Sequence, residues 1–484
     1  MIYVTDDFGR VMGCKTYEEL QQVADTMISA KPDVLSLDAA IPNLCYYRSA
    51  VGHYWSRKNM DALYQAGHDP LEVMVKKFKN AGITVLAGIR MNDHHGGIDI
   101  WTPWDQEHKD WSLAKDTGNR DWRAVGDLRQ MDYAIAGVRE HRLAIIKEIV
   151  ARYDVDGIQL DFGRSAPFLS EVKREKAKHM TQYLKDIRSV LDDAGNRRGH
   201  RMILGAILPW GPDFCEREGL EVQRWIHEEL VSYVSPGEWY YSDWNIPLAD
   251  WGEILQGTAC KLVPFMLGNV SPYQKFEQGK RTLLGDNRLL DGSKIRAIAE
   301  SFYAQGADGI MFYNFYSDTF GSYYPFLRTW TDPDTIASMS RHYFFCRRLK
   351  YVPTEHYSFG TGEAFDRFPL DKVGDEAEYS FRFAAKAAGS TRMLRFKLKN
   401  MSAMDKISVR MNGEPLAPDR IVKQDANADG GVSFTVAIWE ASVSMPPLRC
   451  GNNTICVRLE DSAPNRQHAI EVGEFEVLVT PIAK

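Results

Sequence analysis

Carboxylates, amides and tryptophans crowd the ends of short apolar runs in this 484-residue chain. The sharpest case is "YDVDGIQLDFGR", Tyr153 to Arg164, in which Gly157–Leu160 reads as a buried strand and Asp161 stands where the strand finishes. A carboxylate there is costly unless it is paired or does chemistry. One chemistry that fits is cleavage of a glycosidic bond, which needs two carboxylates flanking the bond, about 5–5.5 Å apart for retention and roughly 6.5–9.5 Å for inversion. Asp161 suits the nucleophile or charge stabiliser of that reaction. Its alternative role is structural, with Arg164 or another cation as partner. For the second carboxylate "SPGEWYYSDWN" offers two residues. Glu238 lies close behind an apolar run, and Asp243 lies in an aromatic-rich stretch, with Tyr240, that can exclude water and raise an acid's pKa. The sequence leaves both open.

The other run ends are equally polar. They carry Asp6 and Asp7, Asp38, then Arg90, Asn92, Asp93, His94 and His95, and further along Trp210, Asn269, Asn314 and Tyr316. Between Met91 and about Asp132 runs a connection far longer than usual, with Trp101, Trp104, Trp111 and Trp122. Aromatic faces beside amides and carboxylates suit a sugar ring, which offers C–H faces for stacking and hydroxyls for hydrogen bonds. Substrate contacts are therefore expected from Asp38, Arg90, Asn92, Asp93, His94, His95, Trp101, Trp104, Arg164, Trp210, Tyr240, Asn269 and Asn314. At least two of the four loop tryptophans are expected to wall the cleft. The blander roles are tryptophans that pack the loop on the barrel, and Asn92 and its neighbours that order the start of that loop. His94 and His95 are adjacent and point different ways, so no metal and no cofactor is expected.

These residues need a scaffold that gathers them. Strands are predicted at Ile2–Thr5, Val34–Leu37, Thr84–Ile89, Gly157–Leu160, Met202–Leu208, Val231–Val234, Leu262–Met266 and Gly309–Tyr313. Helices are predicted at Tyr17–Ser29, Pro70–Ala81, Tyr133–Tyr153, Leu169–Asp193, Leu220–Leu230, Leu248–Gln256, Gly292–Gln305 and Thr335–Lys350. In the third helix Val138, Arg142, Ile145, Ile146, Ile149, Val150 and Tyr153 fall on one face. Eight strands alternating with eight helices is the count of an α/β (β/α)8 TIM barrel, in which all strand ends listed above converge on the C-terminal mouth. An open doubly wound sheet needs a Gly-rich phosphate turn after its first strand, which "TDDFGRVMG" does not supply. After Tyr351 the texture changes to period-two alternation in "RMLRFKLKN", "KISVRMNG", "VSFTVAIW", "NTICVRLE" and "GEFEVLVTP", the pattern of an antiparallel β-sandwich. The expected organisation is a barrel over residues 1–351, a linker over 352–374 and an accessory sandwich over 375–484.

Hydrophobic residues at 44% and charged residues at 26% give a globular chain, and its length exceeds a single core of roughly 250–300 residues. A formal charge of -6 argues against nucleic acid as a partner. No apolar run approaches the roughly 20 residues of a membrane span, so no membrane partner is expected. The seven cysteines are scattered, with no metal spacing, and buried free thiols are expected over a bridge between Cys450 and Cys456. "MIYVTDDFGR" lacks the shape of a signal peptide, which leaves a cytoplasmic protein or an exported one whose leader is absent from this chain. Oligomeric state is not legible.

The run "YDVDGIQLDFGR" resembles strand four of bacterial (β/α)8 glycoside hydrolases of the "family 10-like" type, where a phrase D-G-I-x-L-D closes that strand. "ITVLAGIRMNDHH" and "ADGIMFYNF" look like strands three and eight of the same group. The resemblance implies a barrel that hydrolyses O-glycosyl bonds of an oligo- or polysaccharide, with no particular sugar. The run is also similar to the strand-four motif D-G-x-D-x-D-x-E of family-18 chitinases, but Gln159 replaces the middle Asp and Gly163 the catalytic Glu, which removes that mechanism. Retaining α-glycosidases that take an Asp nucleophile from strand four and an acid from strand six match better in position, through Asp161 with Asp243 or Glu238. Two rivals remain: a non-catalytic carbohydrate-binding barrel, and a metal-dependent barrel enzyme built on Asp38, Asp161 and His94 or His95.

Overall fold

The structure is a computed structural model that describes residues 1–6, 8–92, 102–113, 130–163, 166–170, 173–238, 241–270, 273–277, 280–283, 289–344, 369–384, 390–402, 404–416, 421–428, 431–438, 448–464, 466 and 468–482. Parallel strands form where the apolar runs predicted them: β1 (Ile2–Asp6), β2 (Val34–Ile41), β3 (Thr84–Arg90), β4 (Gly157–Asp161), β5 (Ile203–Pro209), β6 (Tyr233–Gly237), β7 and β8 (Ile310–Phe312). Strand β7 is in two pieces, Lys261–Leu262 and Phe265–Met266, because Pro264 has no N–H to give to the ladder. The first piece pairs with β6 and the second with β8, while Val263 N–H donates to Val234 O at 2.9 Å and Met311 N–H to Pro264 O at 3.0 Å. With β8 also pairing β1, the sheet closes on itself as a barrel.

Helices cover the outside: α1 (Tyr17–Ile28), α2 (Pro70–Asn80), α3 (Ala136–Arg152), α4 (Lys173–Arg198), α5 (Val222–His227), α6 (Ala249–Leu255) and α7 (Gly292–Ala304). On α3 the predicted stripe is buried as expected, Arg142 included. Several helices begin at side-chain caps. Thr16 accepts from Glu19 N–H for α1, Asp69 from Leu71 and Glu72 N–H for α2, and Asp291 from Ser293 and Lys294 N–H for α7.

The barrel interior follows from strand alternation. Every second residue points inward, and Tyr3, Leu86, Ile207, Tyr233, Val263, Phe265, Met311 and Tyr313 form a core separate from the one between strands and helices. Room for the large rings comes from Gly205, where a Cβ would lie 2.1 Å from the Tyr233 ring. Tyr233 can then lie over Gly205 of β5 and donate from its hydroxyl to Gln159 Oε1 of β4 at 2.6 Å. Gln159 thus has an inward structural partner at the position where the chitinase motif carries an Asp.

The eighth predicted helix, Thr335–Lys350, does not form over residues 337–344, and its last six residues lie outside the described ones. Pro333–Ile336 makes a single turn, and Arg341–Tyr343 is a strand, β9, paired antiparallel with the last strand of the chain. The two side chains on one face of β9, Arg341 and Tyr343, both reach Glu300 on α7, Arg341 Nε at 3.0 Å. A long-range pairing and an ion pair override the local helical pattern. The long strands that follow are β10 (Glu376–Phe383), β11 (Ser390–Lys399), β12 (Lys406–Met411), β13 (Ile421–Ala428), β14 (Gly431–Ile438), β15 (Gly451–Asp461) and β16 (Ile470–Pro481). With β9 they form two antiparallel sheets, β9-β16-β11-β14-β13, to which the short strand Pro369–Leu370 adds on β16, and β10-β15-β12, to which Glu414–Pro415 adds an edge on β12, the sandwich that the alternation predicted. Its first strand thus lies within the segment expected for the barrel, and the expected linker, 352–374, falls largely outside the described residues. Among the described residues the six cysteines are all free thiols, Cys450 and Cys456 included. No described helix is long and apolar enough to cross a membrane.

Two tests follow from this framework. Tyr233→Phe leaves the buried Gln159 oxygen without its donor and should cost about 1–3 kcal/mol, read as a lower urea midpoint at unchanged m-value. At the cap of α7, burial pushes the Asp291 carboxyl up, but hydrogen bonds from Lys294 and Ser293 outweigh it and hold it down at about 2. A depressed carboxyl contributes stability above its unfolded pKa and loses it as pH falls, here between about 4 and 2. Asp291→Ala should therefore cost about 1 kcal/mol at neutral pH, and its Tm should converge on that of the wild type across this acid window. Parallel Tm curves down to the bottom of the window would remove the cap argument.

Candidate active site

Alternation carries inward parity up to the strand ends, and there the inward residues become polar. Asp38 pairs in register with Gly88, and Arg90 with Asp161. Gly88 is required where it stands, because a Cβ would lie 2.3 Å from Asp38 Oδ1. The Asp38 carboxylate accepts from Arg90 Nε at 2.5 Å, with side chains only 3% and 8% exposed in an ion pair almost shut off from water. The Arg90 fork extends further, Nη2 donating to Asn314 Oδ1 at 3.3 Å. Asn314 stands at φ 48, a left-handed conformation that asparagine tolerates better than most residues. Since a guanidinium has only donors, it fixes the amide orientation and leaves Asn314 Nδ2 buried with no hydrogen-bond partner among the described residues.

Asp161 belongs to the same layer. It is 2% exposed, accepts from Gly163 N–H at 3.0 Å on Oδ1 and from the Tyr313 hydroxyl at 2.7 Å on Oδ2. The two donors come from its own turn and from the end of β8, so the carboxylate is oriented by both sides of the barrel. Tyr313 was not singled out in the sequence. The signal was present in "GIMFYNF", where Met311 and Tyr313 share the inward parity.

Of the two candidate partners, Glu238 follows directly on β6 and is half-buried. Asp243 is 4% exposed, and its Oδ1 accepts from Asn245 N–H at 2.7 Å. The adjacent Ser242 ties this loop to the end of β7: its hydroxyl donates to Leu267 O at 2.7 Å and accepts from Leu267 N–H at 2.9 Å, and its N–H donates to Asn269 O at 2.8 Å. Trp210, half-buried after β5, lies against Phe214 at 4.8 Å between ring centroids, and its carbonyl accepts from Trp251 Nε1. Asn269 makes an antiparallel bridge with Leu289.

Two expectations are corrected. Asn92 is fully buried and its amide is used within the protein, Nδ2 donating to Met131 O at 3.2 Å and Pro167 O at 2.9 Å, and Oδ1 accepting from Met131 N–H at 3.3 Å. It stitches the return of the third loop to the fourth loop and leaves no group for a sugar. Trp104 stacks on His141 of α3 at 4.1 Å and 12°, with His108 stacked at 4.5 Å. Trp111 meets it edge-on at 5.8 Å, and the Arg142 guanidinium lies 5.6 Å from its ring centre. Burial, then the positive charge of Arg142, pushes His141 down to about 3, so the His141 ring is uncharged at physiological pH. Both tryptophans therefore clamp the loop to an outer helix, because a helix face of histidine and arginine stems offers as good a stacking surface as a sugar. Asp7, Asp93, His94, His95, Trp101, Trp122, Arg164 and Tyr240 lie outside the described residues. Among the described residues no three His, Cys, Asp or Glu side chains are grouped for a metal, and Asp38 is engaged by Arg90.

The Asp38–Arg90 pair can be tested apart from any reaction. Arg90→Leu strands a buried carboxylate and should cost about 3–5 kcal/mol, whereas the Asp38→Leu/Arg90→Leu double variant should recover most of that loss. Denaturant midpoints on the three proteins decide it, and a double variant as unstable as Arg90→Leu would show that the charge pair is not the source of the cost.

No curated protein matches this chain by sequence. Among solved structures it resembles the glycoside hydrolase domain of PgaB (BpsB) from Bordetella bronchiseptica, at 12% identity and TM-score 0.44, over 69% of this chain and 98% of that one. It also resembles alpha-L-fucosidase isoenzyme 2 from Paenibacillus thiaminolyticus, at 11% identity and TM-score 0.43, over 68% of this chain and 48% of that one. A third is the GH36 alpha-galactosidase AgaA from Geobacillus stearothermophilus in complex with stachyose, at 11% identity and TM-score 0.39, over 99% of this chain and 55% of that one. This chain therefore spans about half the length of the last two. Residues 17–197, which carry β2, β3 and β4 with Asp38, Arg90 and Asp161, match the family described as Glycosyl hydrolase-like 10, the kind of protein that the strand-four phrase resembles.

Proposed function

We propose that the protein hydrolyses an O-glycosyl bond of an oligo- or polysaccharide at the C-terminal mouth of the barrel, with retention at the anomeric carbon. The observation that carries this reading is Asp161, a carboxylate at the end of β4 held by Tyr313 and by its own turn. Donors that orient a carboxylate without protonating it suit a group that attacks or stabilises an oxocarbenium-like centre. In the first step Asp161 attacks the anomeric carbon while the second carboxyl, Asp243 or Glu238, protonates the departing glycosyl oxygen. In the second step the same group, now a carboxylate, takes a proton from water as that water displaces Asp161. Asn314 Nδ2, with no partner among the described residues, supports a role in binding a substrate hydroxyl. Arg90 would then act through Asn314, setting which way that amide faces. Substrate contacts from Trp210, Asn269, Tyr240, Asp93, His94, His95, Trp101 and Arg164 remain part of the proposal.

The test is Asp161→Asn. On a substrate found by screening aryl glycosides and polysaccharides, kcat should fall by several orders of magnitude while saccharide binding and Tm stay close to wild type. A variant that keeps more than about a tenth of wild-type turnover rules out the nucleophilic role. Proton NMR of the first-formed anomer decides between retention and inversion. A wild-type chain that binds saccharide and turns none over is a carbohydrate-binding barrel, and activity abolished by exhaustive chelation belongs to a metal-dependent enzyme.

A further inference from the structure

The loop that carries Asp243 is gripped from two sides. On one side Ser242 is bound to the end of β7 through the bonds to Leu267 and Asn269. On the other side the next two residues leave the barrel and bind the sandwich. Trp244, 2% exposed, donates from Nε1 to Phe344 O. Its ring meets Tyr343 of β9 at 5.0 Å and Phe381 of β10 at 6.1 Å, both edge-on. Its carbonyl accepts from Ser301 Oγ of α7 at 2.7 Å. Asn245 then does what a neighbouring strand would do. Its Nδ2 donates to Ser380 O at 3.2 Å and its Oδ1 accepts from Arg382 N–H at 2.9 Å. Residues 380 and 382 sit two apart on β10, the edge strand of its sheet, so their outward backbone groups face the same way. The same Asn245 donates its own N–H to Asp243 Oδ1 at 2.7 Å. One residue therefore joins the sandwich backbone to the Asp243 carboxylate.

We propose that the sandwich is a positioning element of the active site: through Asn245, the backbone of β10 sets the orientation of the Asp243 carboxylate, and Asn245 is a positioning residue for the reaction. The proposal rests on the glycosidase reading and deepens it by assigning the acid/base role to Asp243 over Glu238. An accessory domain that only packs, or that only brings the barrel to its substrate, would not need a residue whose side chain bonds two sandwich backbone groups while its own backbone N–H holds a carboxylate. A short lever of this kind acts on the geometry of proton transfer, to which rate is steeply sensitive and ground-state binding much less so.

The test uses the full chain and three variants. Asn245→Ala removes the lever from the barrel side. Arg382→Pro removes only the donor on the sandwich side, at an edge position where the N–H faces away from the sheet and proline is tolerated. Glu414→Ala, on an exposed edge of the same sheet, is the control. Asn245→Ala and Arg382→Pro should each lower kcat by about tenfold to a hundredfold, with KM within about twofold of wild type and the folded fraction unchanged at the assay temperature. The double variant should be no worse than the weaker single, since both cut one connection. The control should leave kcat and KM unchanged. Wild-type kcat in both single variants, multiplied effects in the double, or a loss of kcat that tracks loss of folded protein each overturns the proposal. Two assays beside them separate the readings: if Asp161→Asn is nearly inactive while Asn245→Ala is not impaired, only the positioning role fails, and if the wild-type chain turns over no glycoside the glycosidase reading fails and takes this proposal with it.

Discussion

The structure depends on the fact that a closed barrel has an inside that must be filled by every second residue of its strands. Below, the filling is mostly apolar, with Tyr233 reaching over Gly205 to Gln159. At the top the same parity brings Asp38, Arg90, Asp161 and Tyr313 together, where water is scarce and each polar group needs a partner from another strand. The pairs that result, Asp38 with Arg90, Arg90 with Asn314 and Tyr313 with Asp161, link β2, β3, β4 and the end of β8. Moving any one of these strands would orphan a buried charge or hydroxyl.

The mouth thus has two parts of different origin. Asp161 stands on a strand and is oriented by groups that the barrel cannot relocate without opening. Asp243 stands in a loop braced from two directions, by the end of β7 and by the edge of the sandwich. A site of this make-up divides its precision between two cores, one inside the barrel and one shared with the C-terminal domain.

The eight strands and seven of the eight helices were legible because each is a local period with a clear end, as in the α3 stripe from Val138 to Val150. The strand-end residues were legible for the same reason, and Tyr313 could have joined them on parity alone. What local pattern could not reveal is which surface a residue chooses when two would serve. Trp104 had the composition of a sugar platform, yet His141 stacks on it. Asn92 had the chemistry of a ligand contact, yet two backbone carbonyls from distant loops use its amide. Arg341–Tyr343 had helical neighbours, and only the presence of β16 and Glu300 makes it a strand. In each case the deciding partner lies far away in the chain.

An edge strand is a hazard for any sandwich, because its open backbone groups invite pairing with another chain. The outward groups of Ser380 and Arg382 on β10 are already taken by the amide of Asn245. The barrel loop therefore acts as a false last strand: while the two domains stay together it caps this stretch of β10, and should they part, the strand that had braced the loop would become a place for molecules to adhere to one another.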